Sequence, residues 1–180
     1  LIGLILPLGL SLILWSDITV SDSNGMQGLF GALIVDKFAL FFKILVIGTT
    51  ALVVLSSVDY VEKFDRLRSE YYALILFAAS GMMLLASTVE LITIYISLEL
   101  TTLPLAALAT FLRTNRSAES GMKLLLLSAV SSAVLLYGMV LIYGFTGTTT
   151  LVGISERISM DLSSGGFTLA NSALLFGTVL

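Results

Sequence analysis

Glu99 is the first residue of this sequence that could carry chemistry, because it is an acid within an apolar run. It lies in the segment ISLELTTLPL at positions 96–105, about 12 Å along a helix that begins at Leu91. A charged carboxylate at that depth in a bilayer costs about 3 kcal/mol. We expect proton uptake, a basic partner or a water-filled cavity to offset this cost, and each makes Glu99 a group that binds and releases a proton. The alternative is a neutral acid with a structural role.

Lys123 is the second ionisable group inside an apolar run. It lies in SAESGMKLLLLSAVSSAVLLYG, about 6 Å beyond Glu119. A short connector joins its helix to that of Glu99, so we expect the two helices to pack antiparallel. Because Glu99 is about 20 Å from that connector, we predict a water chain or a third ionisable group between the two rather than direct contact. Snorkelling of the lysine to the interface is the alternative.

Pro104 and two threonines are the other notable residues of the segment at positions 96–105. Proline has no N–H, so the carbonyl of Leu100 loses its helical donor. The hydroxyls of Thr101 and Thr102 are expected to bond to nearby backbone, and water can reach the freed carbonyl. We therefore predict a bend and local hydration one turn from Glu99, with a kink of no functional consequence as the alternative.

Three serines of the next apolar segment, Ser128, Ser131 and Ser132, have two possible roles. Their hydroxyls could line a hydrated path beside the two ionisable groups. Small residues also let membrane helices approach closely, so simple helix packing is the alternative.

The composition identifies the surroundings of these residues as lipid. The 180 residues are 57% hydrophobic and 12% charged, with a mean hydropathy of +1.05, which is far more apolar than a water-soluble domain. The absence of Cys and His excludes disulfides, thiolate metal sites, haem histidines and iron–sulfur ligation within this sequence. Coupled electron transfer must then occur elsewhere. A net charge of −3 without a basic patch predicts no nucleic-acid partner.

The apolar segments predict an all-α, polytopic transmembrane bundle, because helices satisfy the backbone within lipid. We predict about six helix pieces in one membrane domain over positions 1–180. Four are complete and two are partial: 38–58, 71–88, 91–112 and 120–145, then 1–15 and 168–180. Both termini lie in apolar segments, so the sequence is expected to be a fragment of a longer membrane protein.

The connectors predict the orientation. Five basic residues lie in connectors 59–70 and 113–119, against two in the opposite connectors: Lys63, Arg66, Arg68, Arg113 and Arg116, against Lys37 and Arg157. The basic side is therefore predicted to be the cytoplasm or its organelle equivalent.

Four further charges lie at or near helix ends, and we interpret them as interfacial anchors without chemistry. Asp36, Lys37 and Glu90 mark helix boundaries. Lys43 lies only six positions into its segment and is expected to snorkel.

One long segment resembles a known family. LITIYISLELTTLPLAALATFLRTNRSAESGMKLLLLSAVSSAVLLYGMVLIYGFTGTT is similar to subunit N of the proton-pumping NADH:quinone oxidoreductase, respiratory complex I, called subunit 2 in mitochondria. VDKFALFFKILVIGTTALVVL and SEYYALILFAASGMMLLAS match its preceding helices. The resemblance covers essentially the whole sequence.

The resemblance implies helices two to seven of a fourteen-helix, antiporter-like subunit. It aligns Glu99 with the family's glutamate in helix five and Lys123 with its lysine in helix six. It also implies that Glu99 pairs with a lysine in a broken seventh helix beyond Leu180, and that Lys123 belongs to a half-channel on the cytoplasmic side.

The resemblance further implies a non-redox subunit of a translocase, which couples quinone reduction to proton translocation. No cofactor is expected in this chain, with FMN, iron–sulfur clusters and quinone in other subunits. The implied partners are other membrane subunits and the lipid bilayer, without a bound small-molecule substrate. The implied location is the bacterial inner membrane, with the mitochondrial inner membrane as the alternative. Two other functions stay open: a subunit of a multi-subunit cation/proton antiporter, and a structural bundle that only anchors partners.

Overall fold

The chain forms a bundle of apolar helices with a small hairpin at one end. The computed structural model describes residues 2–17, 26–28, 31–61, 67–112, 114–163 and 177–179. The elements follow in the order α1 (Ile2–Asp17), β1 (Met26–Gly28), β2 (Leu33–Val35), α2 (Lys37–Ser56), α3 (Val58–Val61), α4 (Arg68–Leu85), α5 (Leu91–Ala109), α6 (Asn115–Thr146) and α7 (Leu151–Ser163).

Three helices of the described residues are long and apolar enough to cross a membrane: α2, α5 and α6. The predicted all-α transmembrane bundle is therefore confirmed, and the chain is a multi-pass membrane protein. Helix α4 corresponds to the predicted span 71–88, but it begins earlier and its first turn contains Arg68 and Glu70. The predicted partial segment 168–180 lies almost entirely outside the described residues.

Helices α4 and α5 pack most closely, and Gly81 explains why. A Cβ at this position would come within 2.5 Å of Thr101 Oγ1, 2.8 Å of Thr101 N and 2.9 Å of Ser97 O. Only glycine lets the two backbones approach to this distance. Ser97, on the facing side of α5, is fully buried. This contact fixes the face of α5 that lies against α4.

Local sequence sets the helix ends. The Asp36 carboxylate accepts a hydrogen bond from the Ala39 amide at 2.7 Å and caps α2. Thr114 and Ser117 form a reciprocal capping box at the start of α6. Gly147 follows α6 with φ of 68°, a left-handed conformation that glycine adopts without strain.

Three connectors meet at one end of the bundle and form a backbone seam. Strands β1 and β2 pair antiparallel, with Gln27 opposite Ile34. The Ile34 amide donates to Ser87 O at 2.7 Å, which joins β2 to the α4–α5 turn. The Leu91 amide donates to Thr149 O, and the Leu151 amide to Val89 O, both at 2.9 Å. The alternate connectors thus share one side, as the sequence predicted.

Two features of the connectors were not predicted. The region 16–37 contains the β1–β2 hairpin, although no strand pattern was identified there. The region 146–167, interpreted as a connector, contains α7. Ile154 of α7 is buried while Glu156 and Arg157 are exposed, so α7 is amphipathic. Spacing of apolar residues at Leu151, Ile154 and Ile158 could have revealed this helix.

The opposite end of the bundle is held by aromatic side chains. Tyr71, at the start of α4, lies with its ring centroid 5.3 Å from that of Phe111 and 6.2 Å from that of Tyr60. This is the end predicted to be cytoplasmic. Lys63, Arg66 and Arg113, on which that prediction partly depends, lie outside the described residues.

Candidate functional site

Glu99 forms a hydrogen bond across two membrane helices. Its half-buried side chain projects from α5, and its Oε1 accepts a hydrogen bond from the Ser132 hydroxyl of α6. Ser132 was one of three serines for which a hydrated path or simple packing was considered. The structure places this one serine against the acid.

The second oxygen of Glu99 has no hydrogen-bond partner among the side chains that the structure describes. Buried side-chain polar atoms of the described residues all have partners, so Oε2 is an accessible atom rather than a buried orphan. The carboxylate therefore has one anchored oxygen and one that can meet a water molecule or a further proton donor.

Close packing of α5 on α6 brings Glu99 and Ser132 together. Gly121 of α6 is buried, and a Cβ there would lie 3.3 Å from Ala106 O and would clash with the Thr110 side chain. Gly121 and Ser132 are eleven positions apart, which is within about 20° of the same direction on a helix. The small residue thus lets α6 approach α5 on the face that carries Ser132.

The threonines beside Glu99 bond to the backbone of their own helix. Thr101 donates to Ser97 O at 2.9 Å, and Thr102 donates to Glu99 O at 3.4 Å. Pro104 is buried within α5, which continues unbroken to Ala109. The carbonyl of Leu100, one residue from Glu99, therefore lacks its usual helical donor. An unbonded carbonyl thus lies beside the acid, and the bend and hydration expected there stay predictions.

Lys123 does not join this pair. Its ammonium lies 2.5 Å from Glu119 Oε1, and both side chains are mostly exposed, at 74% and 64%. Lys123 is nine positions from Ser132 on α6, which places it about 13 Å away along the axis and on the opposite face of the helix. The expectation that Glu99 and Lys123 are not in direct contact agrees with this geometry.

Glu90 has more partners than its interpretation as an interfacial anchor implied. Its Oε1 accepts from the Thr149 hydroxyl at 2.8 Å, and its Oε2 from the Thr93 hydroxyl at 3.1 Å. The Thr149 bond crosses the seam between the α4–α5 turn and the α6–α7 connector. No signal in the local sequence links Glu90 to a residue so far along the chain.

Within the described ranges, no group of three or more His, Cys, Asp or Glu residues is arranged to hold a metal ion. The polar groups near Glu99 are hydroxyls, which donate and accept hydrogen bonds, and backbone carbonyls, which accept them, and both can bind water. The arrangement is therefore suited to proton chemistry at a single carboxylate.

Comparison with known families places this helix pair in a defined group. Residues 88–180 match the family model for the transmembrane region of NADH:quinone oxidoreductase and Mrp antiporters. Subunit N of the NADH-quinone oxidoreductase of Dehalococcoides mccartyi is 48% identical over 145 residues, covering 81% of this chain and 30% of the relative. Subunit N of Moorella thermoacetica is 41% identical over 172 residues, covering 95% and 34%. The resemblance to subunit N is thus confirmed.

Solved structures agree with these relatives. A chain of respiratory complex I from Thermus thermophilus, determined with bound aureothin, superposes with a TM-score of 0.66 at 33% identity, covering 98% of this chain and 36% of that one. A chain of an archaeal membrane-bound sulfane sulfur reductase superposes with a TM-score of 0.72 at 22% identity, which shows the fold alone. The chain spans about a third of the length of the relatives it matches.

Proposed function

Because the chain belongs to the membrane family of NADH:quinone oxidoreductase and Mrp antiporter subunits, we propose that it is part of subunit N of a proton-translocating NADH:quinone oxidoreductase. The names of its relatives support this assignment. We place the protein in the bacterial inner membrane, next to other membrane subunits of the complex. Quinone reduction elsewhere in the complex would drive proton movement through this domain.

The Glu99–Ser132 hydrogen bond carries the proposal. A serine hydroxyl donates to an ionised carboxylate and, after rotation, accepts from a protonated one. The bond between α5 and α6 therefore survives a change in the charge of Glu99. A hydrogen bond to a charged group contributes about 1.5–3 kcal/mol, which offsets part of the cost of about 3 kcal/mol for an acid within the bilayer. Glu99 can thus load and release a proton without repacking the helices.

The accessible Oε2 of Glu99 is the proposed entry for a proton. The Leu100 carbonyl, deprived of a donor by Pro104, offers water an acceptor one residue away. The residue with which Glu99 exchanges its proton is proposed to be a basic group outside positions 1–180. Thr101 and Thr102 keep the surrounding backbone satisfied while this exchange takes place.

Lys123 is proposed to exchange protons at the cytoplasmic end of α6. Its pairing with Glu119 near the start of that helix supports this position. Since about 13 Å of helix separates it from Ser132, the proposed path requires water or further polar groups between Lys123 and Glu99. The ion pair keeps the lysine near the interface until a proton is passed on.

Redox chemistry is assigned to other subunits. The chain has no Cys or His residue, which are the side chains that ligate iron–sulfur clusters and haem. Iron–sulfur clusters are therefore proposed to bind elsewhere in the complex. By the resemblance to subunit N, FMN and quinone are also proposed to bind in other subunits, and this chain is proposed to act only on protons.

Replacing Glu99 in the full complex tests the proposal. The Glu99→Gln variant, reconstituted in vesicles, is expected to lose most NADH-driven proton pumping, since a positioned proton-transfer group contributes on the order of 10²–10⁴ in rate. Ser132→Ala should cause a smaller loss, because the carboxyl remains. Ser128→Ala is the matched control, since its hydroxyl donates to Leu124 O of its own helix. Normal pumping by Glu99→Gln would contradict a proton role.

Copurification separates this function from that of an antiporter subunit. The family model covers both kinds of protein. Recovery of flavin and iron–sulfur subunits with the full-length protein supports the oxidoreductase. Their absence, together with sodium- or potassium-driven proton movement in vesicles, would favour the cation/proton antiporter.

A further inference from the structure

Lys43 lies on the packing face of α2 rather than on its lipid face. Its same-face neighbours Ala39 and Ile47 are each 1% exposed, whereas Phe41 and Leu45, on the opposite face, are 53% and 49% exposed. Snorkelling along a lipid-exposed face does not explain this placement. A basic side chain that faces the interior of a membrane bundle is a candidate functional group.

Lys43 belongs to a row of polar residues along that face. Asp36, Lys43, Thr50 and Ser57 recur every seven positions, so each lies within about 20° of the one before it. Thr50 and Ser57 are both 7% exposed. The row therefore runs inside the bundle from the seam end to the aromatic end.

The Lys43 ammonium lacks an ion-pair or hydrogen-bond partner among the described side chains, yet it is not a buried orphan. Among the described residues, the charge that acts on it is that of Asp36, whose carboxylate already caps α2. The elements packed against α2 supply few other charges. The described side chains of α1 and β2 contain no titratable group. Those of α3 and α4 lie at the far end of α2: Asp59 and Tyr60, then Arg68, Glu70, Tyr71 and Tyr72.

A cavity lies between Lys43 and the aromatic end, and Thr50 of the polar row is in its lining while Lys43 is not. It has a volume of about 310 Å³ between α2, α4 and α5, and its lining includes Thr49, Thr50 and Tyr71. The Tyr71 phenol lies near Ser57, the last residue of the polar row, whose hydroxyl donates to Val54 O at 3.0 Å. Both threonine hydroxyls donate to carbonyls of their own helix, which leaves their oxygens free to accept from water. The remaining walls are mostly apolar, so these hydroxyls are the sites that would hold water.

We infer that Lys43 is a second proton-holding group of this membrane domain, placed in the polar row between Asp36 and Thr50 on the packing face of α2. Its ammonium passes one proton to a water molecule and becomes a neutral amine, and a later proton from water restores it. No electrons move in this step. The inference deepens the proposed function and depends on it, but it concerns the packing face of α2, not the Glu99–Ser132 pair.

Charge-conserving and charge-removing variants of the full complex test this inference. Lys43→Met and Lys43→Arg are both expected to lower NADH-driven pumping by about twofold or more, since arginine keeps its charge and does not release a proton. The isosteric Thr50→Val should also lower pumping by removing the water-binding hydroxyl. Lys37→Met is the matched control, because Lys37 is exposed at the start of the same helix, and it should pump normally.

The outcomes separate the two proposals. Wild-type pumping by Lys43→Arg would show that the lysine is only a fixed charge and would overturn the inference. If Lys43→Met fails to assemble, the arginine and Thr50→Val variants decide the question. Impaired pumping in Glu99→Gln with normal pumping in all α2 variants rejects the inference alone. Normal pumping in Glu99→Gln rejects the proposed function.

Water access gives a second measurement. The chain has no cysteine, so a single Lys43→Cys substitution in a full-length protein freed of other thiols can be labelled specifically. A water-soluble, membrane-impermeant maleimide should react at position 43 but not at Leu40→Cys, which replaces a residue that is 1% exposed. Equal protection of both positions would overturn the inference.

Discussion

Two glutamates of the α5 region, one at the helix N-cap and one within the helix, differ in how their carboxylates are hydrogen-bonded. Glu90 is the N-cap residue of α5, and Glu99 lies nine positions further along the chain. Glu90 has both oxygens bonded, by Thr93 and Thr149, at an end already held by backbone hydrogen bonds. Glu99 has one oxygen bonded to Ser132 and the other without a described partner.

This difference indicates that two properties of a glutamate matter: how many hydrogen bonds its carboxylate oxygens accept, and how deep the carboxylate lies in the membrane. Each carboxylate oxygen has two lone pairs, so a carboxylate that accepts from two fixed donors keeps fewer sites for an incoming proton donor than one that accepts from a single donor. Glu99 also keeps one oxygen on which both sites are open. We therefore expect Glu90 to act mainly on stability and Glu99 mainly on proton movement.

Neutralising each acid gives the largest contrast in stability. Glu90→Gln should lower the free energy of unfolding by about 2–3 kcal/mol, because it weakens two bonds to a charged group and turns an amide donor toward a threonine. Glu99→Gln should cost less, since it removes an acid from the membrane span. Thermal unfolding of the full-length protein in detergent measures both. A greater loss of unfolding free energy in Glu99→Gln than in Glu90→Gln would contradict these assigned roles.

The packing that positions Glu99 can be disturbed without touching an ionisable group. Gly81→Ala should destabilise the protein by about 1–3 kcal/mol, because its Cβ would overlap Thr101 and the Ser97 carbonyl. It should also reduce proton pumping by shifting α5. Gly48→Ala is the matched control, since nothing lies within 4 Å of its Cβ. Equal melting temperatures for the two variants would show that the close contact is not required.

Removing one donor to Glu90 tests the seam. Thr149→Val keeps the side-chain shape and the backbone bond to Leu91, but loses the 2.8 Å hydrogen bond. The expected loss of stability is about 1–2 kcal/mol, with pumping retained. Thr148→Val serves as the control, because its hydroxyl bonds only to Thr150 in the same turn. Loss of pumping without loss of stability in Thr149→Val would assign Glu90 a proton role.

The exposed pair on α6 should have the smallest effect. Glu119→Gln removes the partner of Lys123 and should change the unfolding free energy by about 0.5 kcal/mol or less, as is typical of exposed ion pairs. The change should disappear in high salt. A loss above about 1 kcal/mol would mean that this pair is covered by another part of the protein.

The apolar segments allowed most of the fold to be predicted. The helices α2, α5 and α6 follow from runs of about 20 apolar residues, a signal that depends only on sequence. The ends of α6 were predicted less well, since Asn115 and its polar neighbours extend the helix beyond the apolar run. The β1–β2 hairpin was missed because it is short, and its register depends on pairing with the α4–α5 turn at Ser87.

The candidate site was predicted in part. Glu99 was identified because an acid in an apolar run is costly wherever the helix packs. Its partner could not be chosen among Ser128, Ser131 and Ser132, since that choice depends on the rotation of α6 against α5. The role of Glu90 was missed because its bond to Thr149 joins distant positions. The interpretation of Lys43 as an interfacial anchor also took no account of the face of α2 on which it lies.

The sequence by itself determined that the chain is a helical membrane protein with an acid within a span, because burial in lipid depends on the character and length of each segment. The tertiary structure alone decided which hydroxyl meets Glu99 and that three connectors join in one seam. These features depend on how helices rotate and approach one another. That arrangement arises from contacts such as Gly81 with Thr101, which involve residues far apart in the chain.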